Sequence, residues 1–522
     1  MESNNLTPYF ADLENPSTII DEIENLTSNN IKNHGEILEK LLNQFEPIDF
    51  QELAFPESIE VKKRLKKLKT KQDKSPEDEV IKNQIFEELK ILGKCKPKQK
   101  HYLILSIENL RDVSFKNDWG LVKNKDFIYL FNGAYWKQLD NDTFKKFLGE
   151  SAEKMGVPEY DAKHYKFRDE LLKQFLATEY LPTPEVNPEE VLINLENGTF
   201  EITPVKRNLR SFESDDFLTY QLPFEYNPES KAPLFLKYLD EVLPDKNLQN
   251  ILAEYLGYVF IRNGANYLKL EKALFLYGGG ANGKSVFFDI VKAILGNENT
   301  SEYTLQSLTD DKGYQRAKIN DKLVNYCSDI STKLEAGMFK QMVSGEPIEA
   351  RLPYGQPFIM NQYAKLIFNT NDLPKDVEHT NAYFRRFLII PFDVTIPEEK
   401  QDKELSKKII SSELSGVFNW ILEGLNRVLN NKKLTQSNKV KNIVDQYRKE
   451  SDSVQMFIEE SGYKSDANIY KLIKDAYPEY RAYCIEDGSS PVKKSNFIKR
   501  LKTLSLIVER VTGNQLAVYV KK

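Results

Sequence analysis

The segment Lys272-Ala-Leu-Phe-Leu-Tyr-Gly278-Gly279-Gly280-Ala281-Asn282-Gly283-Lys284-Ser285-Val286 constrains this chain more than any other. Ala273 to Tyr277 is an apolar run of strand length closed by glycine, which predicts a short buried strand. Val286, Phe287, Ile290, Val291, Ile294 and Leu295 then recur at helical spacing. Between them stands G-x-x-x-x-G-K-S. Strand, glycine loop and helix is the context in which backbone N–H groups close around phosphate oxygens at the positive end of a new helix. Lys284 is then placed for the β- and γ-phosphates and the Ser285 hydroxyl for magnesium. In a chain of ordinary composition and this length the bare pattern arises by chance on the order of a few per cent of the time. The expected nucleotide-contact set is residues 278–286, with ATP and Mg2+ as cofactors.

Other features bound the rest. The chain has 522 residues, enough for about three or four domains. Its formal net charge is -5, so any affinity for nucleic acid has to come from local patches. Cys95, Cys327 and Cys484 are far apart, and four histidines add no metal-ligand spacing, which points to reduced thiols in a cytoplasmic setting. The N-terminus, MESNNLTPYFADLENP, is polar and acidic, unlike a signal peptide. No apolar run reaches the roughly 18 residues of a membrane helix, so no membrane partner is expected.

Residues 1–110 read as helical and polar. Ile19, Ile20, Ile23 and Leu26 fit one amphipathic helix, and Ile37, Leu38, Leu41, Leu42 and Phe45 another. A basic run follows, Lys62, Lys63, Arg64, Lys66, Lys67, Lys69, Lys71 and Lys74, broken by Leu65 and Leu68. It fits either a grip on a phosphate backbone or a solvated helix face, and the acidic Ser75-Pro-Glu-Asp-Glu beyond it favours the latter. Near residue 119 the texture changes to strands and turns. Two β-rich runs flank Asn132-Gly133, a helix is expected with Asp142 as its N-cap, and Val191 to Ile202 repeats the hairpin signal around Asn197-Gly198. From Leu234 to Arg262 the spacing is again helical.

Beyond the glycine loop, Lys322-Leu-Val-Asn-Tyr-Cys-Ser-Asp329 is an apolar strand ending in a carboxylate, 45 residues after Lys284. Asp329 is the candidate for holding magnesium and orienting water. Val343 to Phe358 reads as two extended runs around Pro-Tyr-Gly, with Arg351 and Tyr354 near the tip. An arginine for phosphate beside an aromatic for stacking suits single-stranded nucleic acid, and an ordinary surface turn has the same pattern. Lys365 to Pro374 is a strand ending in Asn369-Thr-Asn371, where an asparagine can sense a γ-phosphate. Asn381 to Phe392 sets Arg385 and Arg386 before an apolar strand, a placement that suits an arginine acting on a neighbouring subunit.

In order, GGGANGKS, the strand with Asp329, SGEP-I-x-A-R, FNTNDLP and AYFRRFLIIPF resemble the superfamily 3 helicases, a branch of the AAA+ ATPases, and within them the phage and plasmid primase–helicase group that includes poxvirus-type enzymes. The likeness extends to Glu413-Leu-Ser-Gly416-Val-Phe-Asn419-Trp420 and, upstream, to Leu192-Ile-Asn194 and Phe217 to Pro228, covering roughly residues 115–430. The resemblance implies ATP and magnesium at Gly278, Gly283, Lys284 and Ser285. It implies the Walker B acid at Asp329, a sensor at Asn371, and a trans-acting finger at Arg385 or Arg386. The loop that tracks single-stranded DNA matches the hairpin around Arg351. In one respect the chain departs from the pattern. The family usually carries a glutamate, often paired acids, where Ser328-Asp329-Ile stands here, which leaves the general base open among Asp329, Glu335 and Glu346.

The tail has helical spacing at Tyr470, Ile473, Tyr477 and Tyr480 and again at Phe497, Leu501 and Leu504, then two short strands around Thr512-Gly513-Asn514. This reads as a winged helix. From Lys464 onward twelve basic residues face six acids, a local excess that fits DNA contact, with protein docking as the alternative. The expected fold class is therefore α/β. A helical region (1–110) and an α+β accessory domain (111–262) precede an AAA+ P-loop ATPase core (263–435) and a C-terminal winged helix (436–522). The expected function is an ATP-dependent DNA helicase in replication of a phage, plasmid or other mobile element. It would be a homo-hexameric ring on single-stranded and forked DNA, with a separate primase chain as a plausible partner. The alternative is an initiator or loader ATPase that uses ATP for assembly without unwinding.

Overall fold

Five parallel strands form the sheet around which the larger part of the chain is built: β1 (Ala273–Tyr277), β2 (Thr300–Ser301), β3 (Val324–Cys327), β4 (Lys365–Thr370) and β5 (Phe387–Pro391), in the order β5-β1-β4-β3-β2. The structure is a computed structural model describing residues 34–124, 127–179, 190–203, 206–263, 268–328, 335–353, 355–374 and 378–522. The expected helix around Ile19 to Leu26 lies outside them. Every residue of β5, and all of β1 except Tyr277, is buried, which is why these strands read as unbroken apolar runs. Stacked Phe275, Phe368 and Phe387 cross the sheet from β1 to β4 and β5.

The chain divides into two compact units, residues 1–185 with 209–221, and residues 186–208 with 222–522. This differs from the expected boundaries. In the first unit the N-terminal helices are not a separate region. Ile37 and Leu41 of helix His34–Gln44 and Ile107 and Leu110 of helix Gln99–Lys116 share one core with Ile128, Leu130, Phe144, Leu171 and Phe175. An antiparallel sheet, Leu121–Asn124, Phe127–Phe131 and Trp136–Leu139, forms around the expected turn. The turn spans four residues. Asn132 Oδ1 accepts from the N–H groups of Ala134 (3.0 Å) and Tyr135 (2.9 Å), and Gly133 takes φ +95°. The next helix, Asn141–Lys154, is capped by Asp140 and not by Asp142. The Asp140 carboxylate accepts from the N–H groups of Asp142 (3.1 Å) and Thr143 (2.9 Å).

In the second unit the expected hairpin forms from Val191–Leu195 and Gly198–Ile202, but it turns through Glu196 and Asn197, one residue before the expected Asn197-Gly198, and Gly198 is already in the second strand. Asn197 is buried and exchanges two hydrogen bonds with the Tyr226 backbone (2.9 and 3.0 Å). Helices α1 (Pro233–Val242) and α2 (Lys246–Tyr258) belong to the core and not to an accessory domain ending at residue 262, because α4 (Leu414–Asn431) packs directly on α2. A Cβ on Gly424 would lie 2.2 Å from the Ala253 carbonyl carbon, and one on Gly257 would lie 2.6 Å from the Leu425 nitrogen. Buried Glu254 ties the pair: its carboxylate accepts from Arg427 (3.0 Å) and from the Thr435 backbone and hydroxyl (both 2.6 Å). The first N–H groups of α1, which no local side chain caps, donate to Glu413 from Leu234 (3.0 Å) and Phe235 (2.9 Å).

The helix Asn438–Glu450 also stays with the sheet, through buried Tyr447, whose hydroxyl donates to the Pro374 carbonyl (2.8 Å). A separate core begins only with Val454. Helices Ser453–Glu460, Ile473–Glu486 and Lys494–Thr503 pack with strands Val508–Val511 and Gln515–Val518 around Phe457, Tyr480, Phe497 and Leu501. None of the helices among the described residues is long and apolar enough to cross a membrane. The α2–α4 contact generates a stability prediction. Gly424→Val should lower stability by about 3 kcal/mol or more, because the obstacle is backbone and cannot repack. A thermal or urea unfolding curve within about 1 kcal/mol of wild type would show the contact to be looser than it is drawn.

Candidate active site

At the C-terminal edge of the parallel sheet, three strand ends converge: the glycine loop after β1, Ser328 after β3, and Thr370-Asn371 after β4. Such an edge is where ligands bind in open α/β sheets. The register makes the convergence. Thr370 pairs with Tyr277 and Phe368 with Cys327, so the three chains leave the sheet together. The Gly278 N–H donates to the Thr370 carbonyl (3.2 Å), which joins the loop to the neighbouring strand.

The loop is braced from outside. Gly278 has φ +155°, and a Cβ there would meet the Phe392 carbonyl oxygen at 2.4 Å. Asn282 is buried, and its amide donates to the carbonyls of Gly279 (2.7 Å) and Phe392 (3.0 Å). Gly283 (φ +86°) faces Val242 and Tyr238 of α1, and the Tyr238 hydroxyl donates to its carbonyl (2.8 Å). Gly279 and Gly280, by contrast, have open space where a Cβ would stand. Ala281 takes φ +54°, a left-handed backbone unusual outside glycine. Tyr238, Asn282 and Phe392 thus hold the loop on three sides and leave its outer face open.

Lys284 opens the twelve-residue helix α3 (Lys284–Leu295) and is 8% exposed. Its Nζ donates to the carbonyls of Gly278 (2.7 Å) and Gly279 (2.8 Å), to Asn282 Oδ1 (3.1 Å) and, at the limit, to Asn371 Oδ1 (3.5 Å). All four oxygens are neutral, and no carboxylate among the described residues pairs with it. Burial pushes its pKa below the usual lysine range. A desolvated cation therefore sits at the positive end of a helix, so the local charge calls for an anion. Ser285, next along α3, is exposed at the same end. The structure thus brings Lys284 and Asn371 together. Asn369, two residues earlier, is buried and accepts instead from the hydroxyl of Tyr326 (2.9 Å), so Asn371 is the asparagine that faces the loop.

Asp329 and Tyr354 lie outside the described residues. Of the other two acids considered for the general base, Glu335 caps helix Ala336–Ser344 through the N–H groups of Gly337 and Met338. Glu346 is exposed before the hairpin Ile348–Arg351 and Pro357–Met360. That hairpin alternates buried Ile348 and Ala350 with exposed Glu349 and Arg351. Buried Arg316 pins it, donating to the Glu349 carbonyl (2.9 Å) as well as to those of Leu308 and Asp310 (2.8 and 2.9 Å). Arg351 Nε donates back to the Gly355 carbonyl (2.9 Å).

The two arginines part company. Both precede β5, and the Ala273 N–H donates to the Arg386 carbonyl, so they stand at the opposite edge of the sheet from the glycine loop. Five residues of strand separate the two edges, about 15 Å. Arg386 is buried, and its guanidinium donates to the carbonyls of Lys340 (3.2 Å) and Ala382 and to Ser344 Oγ (2.8 Å). Arg385 has 54% of its side chain exposed, paired with Glu271 at 2.7 Å. It lines a cavity of about 580 Å³ with Lys272 and Arg448. Burial, and then the Arg385 charge, hold Lys272 below its usual pKa. Of the sequence candidates, Arg386 is committed to groups around it and Arg385 faces outward. Tyr238 and Glu271 had no motif to mark them.

Two family models match parts of the chain: D5 N terminal like over residues 111–244, and a family of unknown function, DUF5906, over residues 276–386, which runs from the glycine-loop strand to the arginine pair. L207/L206 of Acanthamoeba polyphaga mimivirus, provisionally named a helicase, is 24% identical over 245 residues. The match covers 43% of this chain and 24% of that protein, so this chain spans about a quarter of the viral relative. Among solved structures, the apo NrS-1 C-terminal region (305-718) is 13% identical, with a TM-score of 0.44, over 82% of this chain and 100% of that one. A second apo form of the same region gives 13% and 0.42, over 79% of this chain and 99% of that one.

The contrast between the arginines is testable by unfolding. Arg386→Ala should cost about 2–4 kcal/mol of stability, since it removes a buried cation and strands its acceptors. Arg385→Ala should stay within about 0.5 kcal/mol of wild type. Equal effects from both would contradict the burial difference.

Proposed function

We propose that this chain is an ATP-driven DNA helicase of the superfamily 3 AAA+ type, acting in replication of a phage, plasmid or other mobile element. The observation that carries the proposal is Lys284, desolvated, bonded only to neutral oxygens and set at the N-terminus of α3 beside Asn371. That arrangement suits a nucleoside triphosphate. The match to the D5 N terminal like family and the helicase name borne by the mimivirus relative favour strand separation as the work done. The strand order β5-β1-β4-β3-β2, with the loop strand between the asparagine strand and the arginine strand, fits an AAA+ core.

In this reading, substrate ATP lies along the loop with its phosphates on the α3 N–H groups. Ser285 and Asp329 would hold Mg2+, which would neutralise charge on the β- and γ-phosphates. Lys284 stabilises the charge that develops as water attacks the γ-phosphate, and Asn371 positions that water. Arg385 is too far from its own loop and acts on the next subunit, which makes a homo-hexameric ring the working form. The exposed Arg351 hairpin then follows single-stranded DNA through the ring, with a forked substrate ahead and a separate primase chain as partner. The C-terminal segment from Val454 onward, three helices and a β-hairpin with Lys493, Lys494, Lys499 and Lys502 exposed around its third helix, acts as a winged helix on DNA.

Hydrolysis and strand separation decide between this reading and an assembly ATPase. Wild-type protein should hydrolyse ATP faster with single-stranded DNA and unwind a forked duplex. Lys284→Ala should lose both activities by at least about 100-fold. Arg351→Ala should keep basal hydrolysis and lose the stimulation. Hydrolysis without strand separation would point to a loader, and a protein that stays monomeric with ATP and DNA would contradict the ring.

A further inference from the structure

We infer that the helical hairpin Glu57–Lys74 and Glu79–Lys94 in the first unit is a docking surface for single-stranded nucleic acid, separate from the ATPase core. The basic run noted in the sequence folds as one helix whose apolar edge, buried Val61 and Leu65 with half-buried Leu68, packs against buried Ile85 and half-buried Ile81 and Leu92 of the partner helix. Its cations divide sharply. In the first half each is neutralised: Lys62 pairs with Asp49 and with Glu52 (3.0 Å), Lys63 with Glu60 (2.9 Å), and Arg64 with Glu88 (2.7 Å). In the second half Lys66, Lys67, Lys69, Lys71 and Lys74 are exposed, and none has an ion pair among the described residues. Asp73 is the one acid on that stretch of helix. Five unpaired lysines over about 12 Å of helix form a strong local field on a chain of negative net charge.

A lysine-rich face alone is commonly a solvated one. The partner helix adds what a solvated face has no use for. Phe86 is 64% exposed and Leu89 is 46% exposed. With the Leu65–Ile85 contact as the seam, Arg64 and Glu88 lie on one side of it and pair. By helical spacing Lys66 and Lys69 lie on the other side, the same side as Phe86 and Leu89. That flank therefore joins two unpaired cations, Lys66 and Lys69, which take phosphates, to an exposed aromatic ring, which takes an unstacked base, while Lys67 and Lys74 on the outward face and Lys71 on the Arg64 side extend the basic field round the helix. Duplex DNA hides its base faces, so this combination selects a single strand.

The experiment measures binding of the full-length protein to a fluorescent oligo-dT 30-mer, a 30-bp duplex and inorganic polyphosphate over a range of salt. Three proteins are compared: wild type, the five-lysine variant K66Q/K67Q/K69Q/K71Q/K74Q, and Phe86→Ala. The altered side chains are exposed, so folding is expected to be unaffected. The five-lysine variant should bind oligo-dT at least about tenfold more weakly, and the slope of log K against log salt should fall by about 2 or more, at about 0.7 for each phosphate no longer neutralised. Phe86→Ala should weaken oligo-dT binding about fivefold or more at unchanged slope and leave polyphosphate binding alone. Unchanged oligo-dT affinity and slope in the five-lysine variant would overturn the proposal. So would a silent Phe86→Ala, or a weakening confined to duplex and polyphosphate.

Discussion

A lysine ammonium buried without an anion is the constraint on which the rest of the second unit depends. Lys284 Nζ is satisfied by four neutral oxygens, three from its own loop and one from Asn371, so its hydrogen bonding is complete while its charge is not. Holding a cation this way is costly, and burial duly lowers its pKa. The loop tolerates it because other groups fix its shape. Tyr238 holds Gly283, Asn282 ties the loop to Phe392, and Gly278 reaches Thr370. Those braces come from α1, from the residue after β5 and from β4, so the loop is as rigid as the packing of the whole sheet.

That dependence explains why helices far from the loop matter to it. Tyr238 sits on α1, and α1 is fixed at its N-terminus by Glu413, just before α4. Behind α1, α2 meets α4 through Gly257 and Gly424, where the helices come close enough for backbone atoms to fill the space of a side chain. Glu254 closes the same junction with a carboxylate satisfied on both oxygens. The segment from 233 to 262 is therefore the back wall of the glycine loop.

The sheet also separates chemistry by edge. The loop, Ser328 and Asn371 gather at its C-terminal edge, and Arg385 with Glu271 and Lys272 at the other. In this parallel sheet the arginines stand at the starts of the strands and the loop at their ends, about five residues of strand apart. This is the physical basis for the proposal that Arg385 acts on a neighbouring copy, and it singles out Arg385 because Arg386 spends its guanidinium on Lys340, Ala382 and Ser344.

Much of this was legible in the sequence because it is local. The loop strand, the loop and its helix follow from composition and spacing over some twenty residues, and both hairpins and the tail helices form near their expected places, the second turn one residue early at Glu196-Asn197 and the tail helix from Ile473 rather than Tyr470. Misses came where neighbouring residues compete. Asp140 and Asp142 are equally good caps by type, and the path of the preceding strand chose Asp140. Arg385 and Arg386 are identical in sequence terms, and only the side of the chain that faces the core separates them. Likewise, the basic run had two readings until folding showed which of its cations find acids and which stay exposed without them. The sequence by itself determined that a glycine loop joins a buried strand to a helix and which residues form it, since backbone conformation there depends on glycines and a helix start. Tertiary structure alone decided what braces that loop, which asparagine and which arginine face outward, and which edge each occupies. Those outcomes depend on strand register and helix packing between segments more than a hundred residues apart, where no local pattern carries the information.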